Sequence, residues 1–253
     1  MKISPLICCL FTSSIALGLN INFNDPAGTN INQMGFNHGG YFTDGLGNLD
    51  WNNNSPSLNN FRTLDFPTLN EGIYLFENVI NSYDLSNNLP VNVAEKGFRF
   101  VLKNNDRQGI VNNLYTTNDG SIEVFTTGWY EYEGVVNLIN SNRSNLNNFT
   151  QKSTEDLTIQ TYINLDTGEW LSRYRSGSLA WINLANGSGF ETIGQIQITS
   201  RNPSGSWVSS GPEYDYVKID SISLEQVNAI PEPSTYALIL GAVALGFAFR
   251  RRK

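Results

Sequence analysis

Cysteine is nearly missing from this chain: the only two, Cys8 and Cys9, stand side by side near its start. Histidine occurs once, as His38 in FNHGGYF. A Ser-His-Asp triad would have to use that residue. Its Gly-rich surroundings read as a loop, and no GxSxG elbow accompanies it. No HExxH, P-loop or GxGxxG pattern occurs either. Charge is also scarce, at 15 % of 253 residues, with a formal net charge of −7. Five of the 16 Lys and Arg lie at the ends, as Lys2 and Arg250–Lys253, leaving 11 against 23 Asp and Glu. An acidic body with no basic run repels phosphate backbones, which argues against nucleic-acid binding. Aromatics, at 12 %, are too many for a disordered chain.

The first residues, MKISPLICCLFTSSIALGLN, carry a cation at Lys2 and then an apolar stretch. Ala16 and Gly18 are small residues at the spacing signal peptidase prefers. Residues 1–18 therefore read as a secretory signal, cleaved after Gly18. Both cysteines would leave with it. The mature protein would then have no disulfide, no thiolate and no Cys-based zinc site. Export without disulfides points to a bacterium.

From about Ile21 to Val227 short alternating runs are separated by Gly, Asn, Asp and Ser. Phe98, Phe100 and Leu102 alternate, as do Ile122 and Val124, then Ile159, Thr161, Ile163 and Leu165, and then Ile196 and Ile198. Period two puts one side on a core and the other toward water. Val217 and Ile219 are followed out of phase by Ile222 and Leu224, which predicts a bulge at Asp220-Ser221. YINLDTGEWLSRY reads as a hairpin turning at Asp166-Thr167-Gly168. LNEGIYLFENVINSY could place Ile73, Phe76 and Ile80 on one helical face, but its aromatic and β-branched content favours a strand. Asparagine, as in NNN at 52–54, suits turns and polar loops. The expected fold is all-β: a single two-sheet β-sandwich of jelly-roll type over 19–229.

The chain ends in IPEPSTYALILGAVALGFAFRRRK, residues 230–253. Pro231 and Pro233 cannot donate ladder hydrogen bonds and keep the chain extended. Residues 236–249 are uncharged and mostly apolar. As a helix they would span about 21 Å, short of the roughly 30 Å core of a bilayer. The run has no amphipathic stripe, however, and it stops at Arg250, Arg251, Arg252 and Lys253. Such a cationic stop favours retention on the cytoplasmic side. The expected topology has the body outside, the tail in the membrane and the cations inside.

Pro231-Glu232-Pro233, the short Ala/Gly/Leu-rich span and the terminal Arg cluster together resemble the PEP-CTERM sorting signal. The resemblance covers only the tail, and Ile230 stands where valine is common. It implies export by a Gram-negative bacterium and processing by exosortase, a membrane-embedded cysteine protease. It also implies a setting of exopolysaccharide and biofilm matrix. Pro231, Glu232 and Pro233 are then recognition elements of a processed substrate, not catalytic residues.

Within the body, aromatics point to binding more than to reaction. Trp and Tyr rings pack on sugar C–H faces while polar side chains take the hydroxyls. Trp51, Trp129, Tyr130, Tyr132, Trp181 and Trp207 are candidate rings. Trp207, in a Gly/Ser/Pro loop, is the best single candidate, whereas Trp170 and Trp181 are expected in the core. Glu131 and Glu133, two apart in GWYEYEG, would share a strand face. A solvated edge is the plainer account of them than a glycosidase pair. INFNDPAGTN and VKIDSISLE look like the ends of calcium-stabilised jelly-roll carbohydrate-binding modules. That likeness implies a structural Ca2+ at Asn24 or Asp25 and Asp220, which supply only part of a six-to-eight-oxygen shell. The plainer account has Asp25 capping a turn and Asp220 in a bulge. The expected role is a non-enzymatic surface or matrix protein with weak carbohydrate affinity. A glycan-active enzyme on the same fold and a tethered structural domain are the alternatives.

Overall fold

The computed structural model describes residues 18–23, 27–37, 42–43, 46–51, 59–86, 96–104, 108–116, 122–132, 135–139, 152–201 and 215–228. The expected signal peptide up to residue 17, His38, Trp207, Asn24, Asp25 and the whole tail lie outside the described residues, and so do the side chains of Trp51, Tyr130 and Tyr132.

The described chain folds as two antiparallel sheets. The nine-stranded sheet runs in the order β13 (Ile182–Gly187), β12 (Glu169–Ser176), β11 (Leu157–Asn164), β5 (Ile73–Asp84), β15 (Tyr216–Val227), β3 (Leu49–Trp51) and β2 (Phe42–Thr43). Two further strands join it: β1 (Gly18–Asn22) on β15 and β10 (Lys152–Ser153) on β5. The six-stranded sheet runs β4 (Asn59–Leu69), β14 (Ile193–Arg201), β6 (Lys96–Lys103), β7 (Gln108–Thr116), β8 (Ile122–Tyr132) and β9 (Val135–Ile139). The chain passes repeatedly from one sheet to the other, as β3 to β4, β4 to β5 and β5 to β6, in a jelly-roll-like sandwich. The only helical piece among the described residues is a 3-10 turn at Ile31–Met34, opened by Asn30, whose side chain accepts from the Asn32 amide.

The alternating runs all turn the expected side inward. Phe98, Phe100, Leu102, Ile122, Val124, Ile159, Ile163, Ile196, Ile198, Val217, Ile219, Ile222 and Leu224 are all buried in one core. The segment that could have been helical is β5, buried at every second residue over Tyr74–Ile80, so its period is two. The phase slip in the last strand is a pair of opposed irregularities. Ile219 pairs with Ile80 and Ser221 with Val79, which leaves Asp220 unmatched on β15, while Asn81 is the extra residue on β5. The β11–β12 hairpin turns where expected, with the Asn164 side chain accepting from the amides of Asp166 at 3.0 Å and Thr167 at 3.3 Å.

Asparagine departs from its expected place. Asn78, Asn112 and Asn113 are buried inside strands, not in loops. Asn112 of β7 sits between the sheets. Its Nδ2 donates to Asn78 Oδ1 of β5 at 3.1 Å. Its Oδ1 accepts from Thr126 of β8 at 2.9 Å and Thr161 of β11 at 3.2 Å. Thr161 also meets Ser172 of β12 at 2.6 Å. A polar group may only be buried without penalty if it is hydrogen-bonded, and asparagine carries both a donor and an acceptor, so it can tie two sheets together.

A second buried tie is ionic. Lys96 opens β6, Asp215 immediately precedes β15, and their side chains, both fully buried, meet at 2.9 Å. Burial pulls the Lys96 pKa below its ordinary value, against the opposing pull of Asp215. Close by, Asp84 takes a hydrogen bond from the Ser86 hydroxyl at 2.6 Å and an ion pair from exposed Lys152 at 2.9 Å. Burial alone would raise the Asp84 carboxyl; the bonds from Ser86 and Lys152 outweigh it and hold the pKa below the ordinary value.

Candidate functional site

The inward residues of β6 fix what faces out. Between Phe98, Phe100 and Leu102 stand Arg99, Val101 and Lys103, and they point to the opposite side of the six-stranded sheet. Cross-strand pairing aligns them with neighbours on the same face. Lys103 lies in one row with Gln195 on β14 and Gly109 on β7, and Gly109 pairs in turn with Trp129 on β8. Val101 lies in the next row with Gln197 and Val111, and Arg99 in the one after with Thr199 and Asn113. These rows form an open groove of about 290 Å³. Val101 and Val111, both buried, are its floor. Arg99, Lys103, Trp129, Gln197 and Thr199 line it.

Two glycines shape this face. A Cβ on Gly109 would come within 2.4 Å of the Trp129 indole nitrogen, so the ring rests against the bare backbone of β7. Gly97 does the same for Tyr115, whose ring a Cβ there would meet at 1.8 Å. Tyr115 in turn packs edge-on against Phe125 at 5.5 Å and lies under the Arg99 guanidinium at 5.0 Å. Lys103 sits over the Trp129 ring at 5.9 Å. Burial lowers the Lys103 pKa. The carboxylate in its row, Asp65 of β4, is engaged by the Gln195 amide at 2.6 Å. The described lining of the groove holds no carboxylate.

Of the sequence candidates, Trp129 is therefore in the groove. Tyr130, Glu131 and Tyr132 continue the same strand, but their side chains, like Glu133 and Trp207, lie outside the described residues. Trp170 is in the core as expected. Trp181 is not: it is half-buried on the outside of the nine-stranded sheet, between the guanidiniums of Arg173 at 4.4 Å and Arg175 at 4.7 Å. Its position just before β13 takes it out of the strand alternation, so it packs on the outward side chains of β12. Arg173 also bonds Gln160 at 2.9 Å and the Tyr162 hydroxyl at 2.6 Å, so this cluster satisfies itself. Arg99 and Lys103 share one strand face although they are four residues apart in sequence.

For calcium, the first and last strands are indeed neighbours, with Ile21 opposite Ile222 and Asn22 opposite Ser221. The Phe23 amide reaches the Asp220 carbonyl at 3.4 Å, and Ser221 donates to the Asp220 carboxylate at 3.1 Å. Asn24 and Asp25 lie outside the described residues, among which no three His, Cys, Asp or Glu side chains converge. Asp220 alone is a fragment of a calcium shell.

Residues 229–253 match the PEP-CTERM protein-sorting motif. The motif marks the chain as an exported protein of the exosortase-sorted kind, made as a membrane-anchored precursor. No curated protein sequence matches the chain at a significant level. Among solved structures, an alginate lyase mutant in complex with an alginate trisaccharide is 12 % identical, with 83 % of this chain and 98 % of that one covered and a TM-score of 0.49. A glycosyl hydrolase family protein from Mycobacterium fortuitum is 13 % identical, covers 81 % and 98 %, and scores 0.48. Peanut lectin is 9 % identical, covers 85 % and 100 %, and scores 0.44.

The groove gathers residues from β6, β7, β8 and β14, and sequence reasoning found only Trp129 among them. The signal for Arg99 and Lys103 was available: they are the odd positions of a strand whose even positions are Phe98, Phe100 and Leu102.

Proposed function

We propose that this is an exported surface or matrix protein of a Gram-negative bacterium that binds polysaccharide, without cleaving it, in the groove on the six-stranded sheet. One observation carries the reading: the Trp129 indole is laid against Gly109 in an open groove whose other walls offer Gln197, Thr199, Arg99 and Lys103. A flat apolar ring beside polar donors is the arrangement that packs a sugar face and takes its hydroxyls. The sorting motif supports an extracellular setting for such binding, and on this reading the ligand is exopolysaccharide of a biofilm matrix.

A glycan-active enzyme is the second reading, and Lys103 favours it. A lysine whose pKa is lowered by burial is suited to take a proton from a bound substrate. A glycan-array screen of the chain, followed by product analysis on every glycan bound, separates the two. Binding that falls about tenfold in Trp129→Ala, with no product released, is the expected result. Products that disappear in Lys103→Gln would establish the enzyme instead.

A further inference from the structure

We propose that the groove selects acidic glycans, with Lys103 pairing to a carboxylate of a uronic acid or similarly charged sugar. This rests on the reading of the groove as a glycan site. Lys103 is half-buried and, among the described residues, makes no ion pair; its one side-chain interaction among them is with the Trp129 ring. A cation withdrawn from water without a counter-ion is costly, and the strand face would accept an uncharged residue at no such cost. The charge is therefore placed where an external anion can neutralise it. Arg99 lines the same groove from the same strand, four residues along, or about 13 Å at strand rise. Val101 and Val111 form an apolar floor between them, and Trp129 gives the sugar face a place to rest beside Lys103.

The rest of the molecule sharpens this selectivity. The chain carries 23 Asp and Glu and few cations outside its ends, so a polyanion is repelled elsewhere and held only where cations gather. Among the described residues a second pair of cations, Arg173 and Arg175, is occupied with Trp181, Tyr162 and Gln160. Among the described residues, the groove lining beside Lys103 is Trp129, Val101 and Gln197, none of them acidic, and Asp65 at the end of its row is engaged by Gln195.

Titration calorimetry of the full chain in detergent, with an oligogalacturonate and with a neutral gluco-oligosaccharide of equal length, tests the proposal. The acidic oligomer is expected to bind at least about tenfold tighter, as a charged hydrogen bond allows. That advantage should shrink as salt is raised. Lys103→Gln should remove the preference, lowering affinity for the acidic oligomer far more than for the neutral one, with the melting temperature at or above the parent value; Lys103→Arg should keep most of the preference. Equal binding of both oligomers, still lost in Trp129→Ala, would overturn the selectivity and leave the groove as a glycan site. Binding of neither would overturn both.

Discussion

Replacing Asn112 by leucine should destabilise the sandwich far more than its conserved volume implies. Asn112 is fully buried and is the hub of hydrogen bonds to Asn78, Thr126 and Thr161. Leucine removes all three bonds. Thr161 keeps Ser172 as a partner, at 2.6 Å. Asn78 Oδ1 and the Thr126 hydroxyl are left buried with none. At roughly 1–3 kcal/mol for each orphaned group, and with some return from the apolar side chain, the loss centres on about 3 kcal/mol. For a domain of this size that lowers the melting temperature by roughly 6–12 °C. Thermal unfolding followed by circular dichroism measures it. The double variant Asn112→Leu/Thr126→Val should lose less than the sum of the two single changes, because each single change strands the other's partner. A fall of only a degree or two, or additive single effects, would refute the account of Asn112 as the tie between the sheets.

Other changes test other parts of the structure. Asp215→Asn should cost about 3 kcal/mol by removing the carboxylate that meets buried Lys96, with the charge of Asp84 offsetting part of the loss, and Lys96→Met/Asp215→Leu should recover much of that in denaturant titrations. Gly109→Ala should displace the Trp129 ring and weaken glycan binding at least about tenfold while the fold persists, as near-ultraviolet circular dichroism and affinity measured together would show. Asp84 has a lowered folded pKa, so its stabilising contribution is present above the ordinary carboxylate value and is lost as pH falls through the folded one. Asp84→Asn should flatten that acid limb of the stability profile, and an unchanged limb would count against the Asp84–Ser86–Lys152 cluster.

How much of this was legible in the sequence depended on the physics involved. Strand alternation is local, so the inward faces of β6, β8, β11, β14 and β15 could be read directly, and so could the bulge at Asp220. Asparagine misled because its usual place in turns reflects local backbone bonding. Asn78 and Asn112 instead bond each other across the sheets, and no local pattern reports such a partner. Lys96 left a trace, since it continues the inward parity of Phe98 and Phe100, and a charge at that parity requires a buried partner. That the partner is Asp215, more than 100 residues away, is a fact of topology alone. Trp181 was placed wrongly because an apolar ring in a strand-like run suggests the core, whereas two guanidiniums from β12 hold it on the surface. The groove draws on four strands brought together by the six-stranded sheet, so only its separate pieces could be seen beforehand.

The central claim is that the outer face of the six-stranded sheet holds a glycan. Nuclear magnetic resonance titration of the isotope-labelled protein with an acidic oligosaccharide tests it most directly. The account predicts shifts of the Trp129 indole N–H and of the amides of Gly109, Lys103, Gln197 and Thr199, saturating together. Shifts clustered instead around Trp181 and Arg173 on the nine-stranded sheet, or none at all, would contradict it.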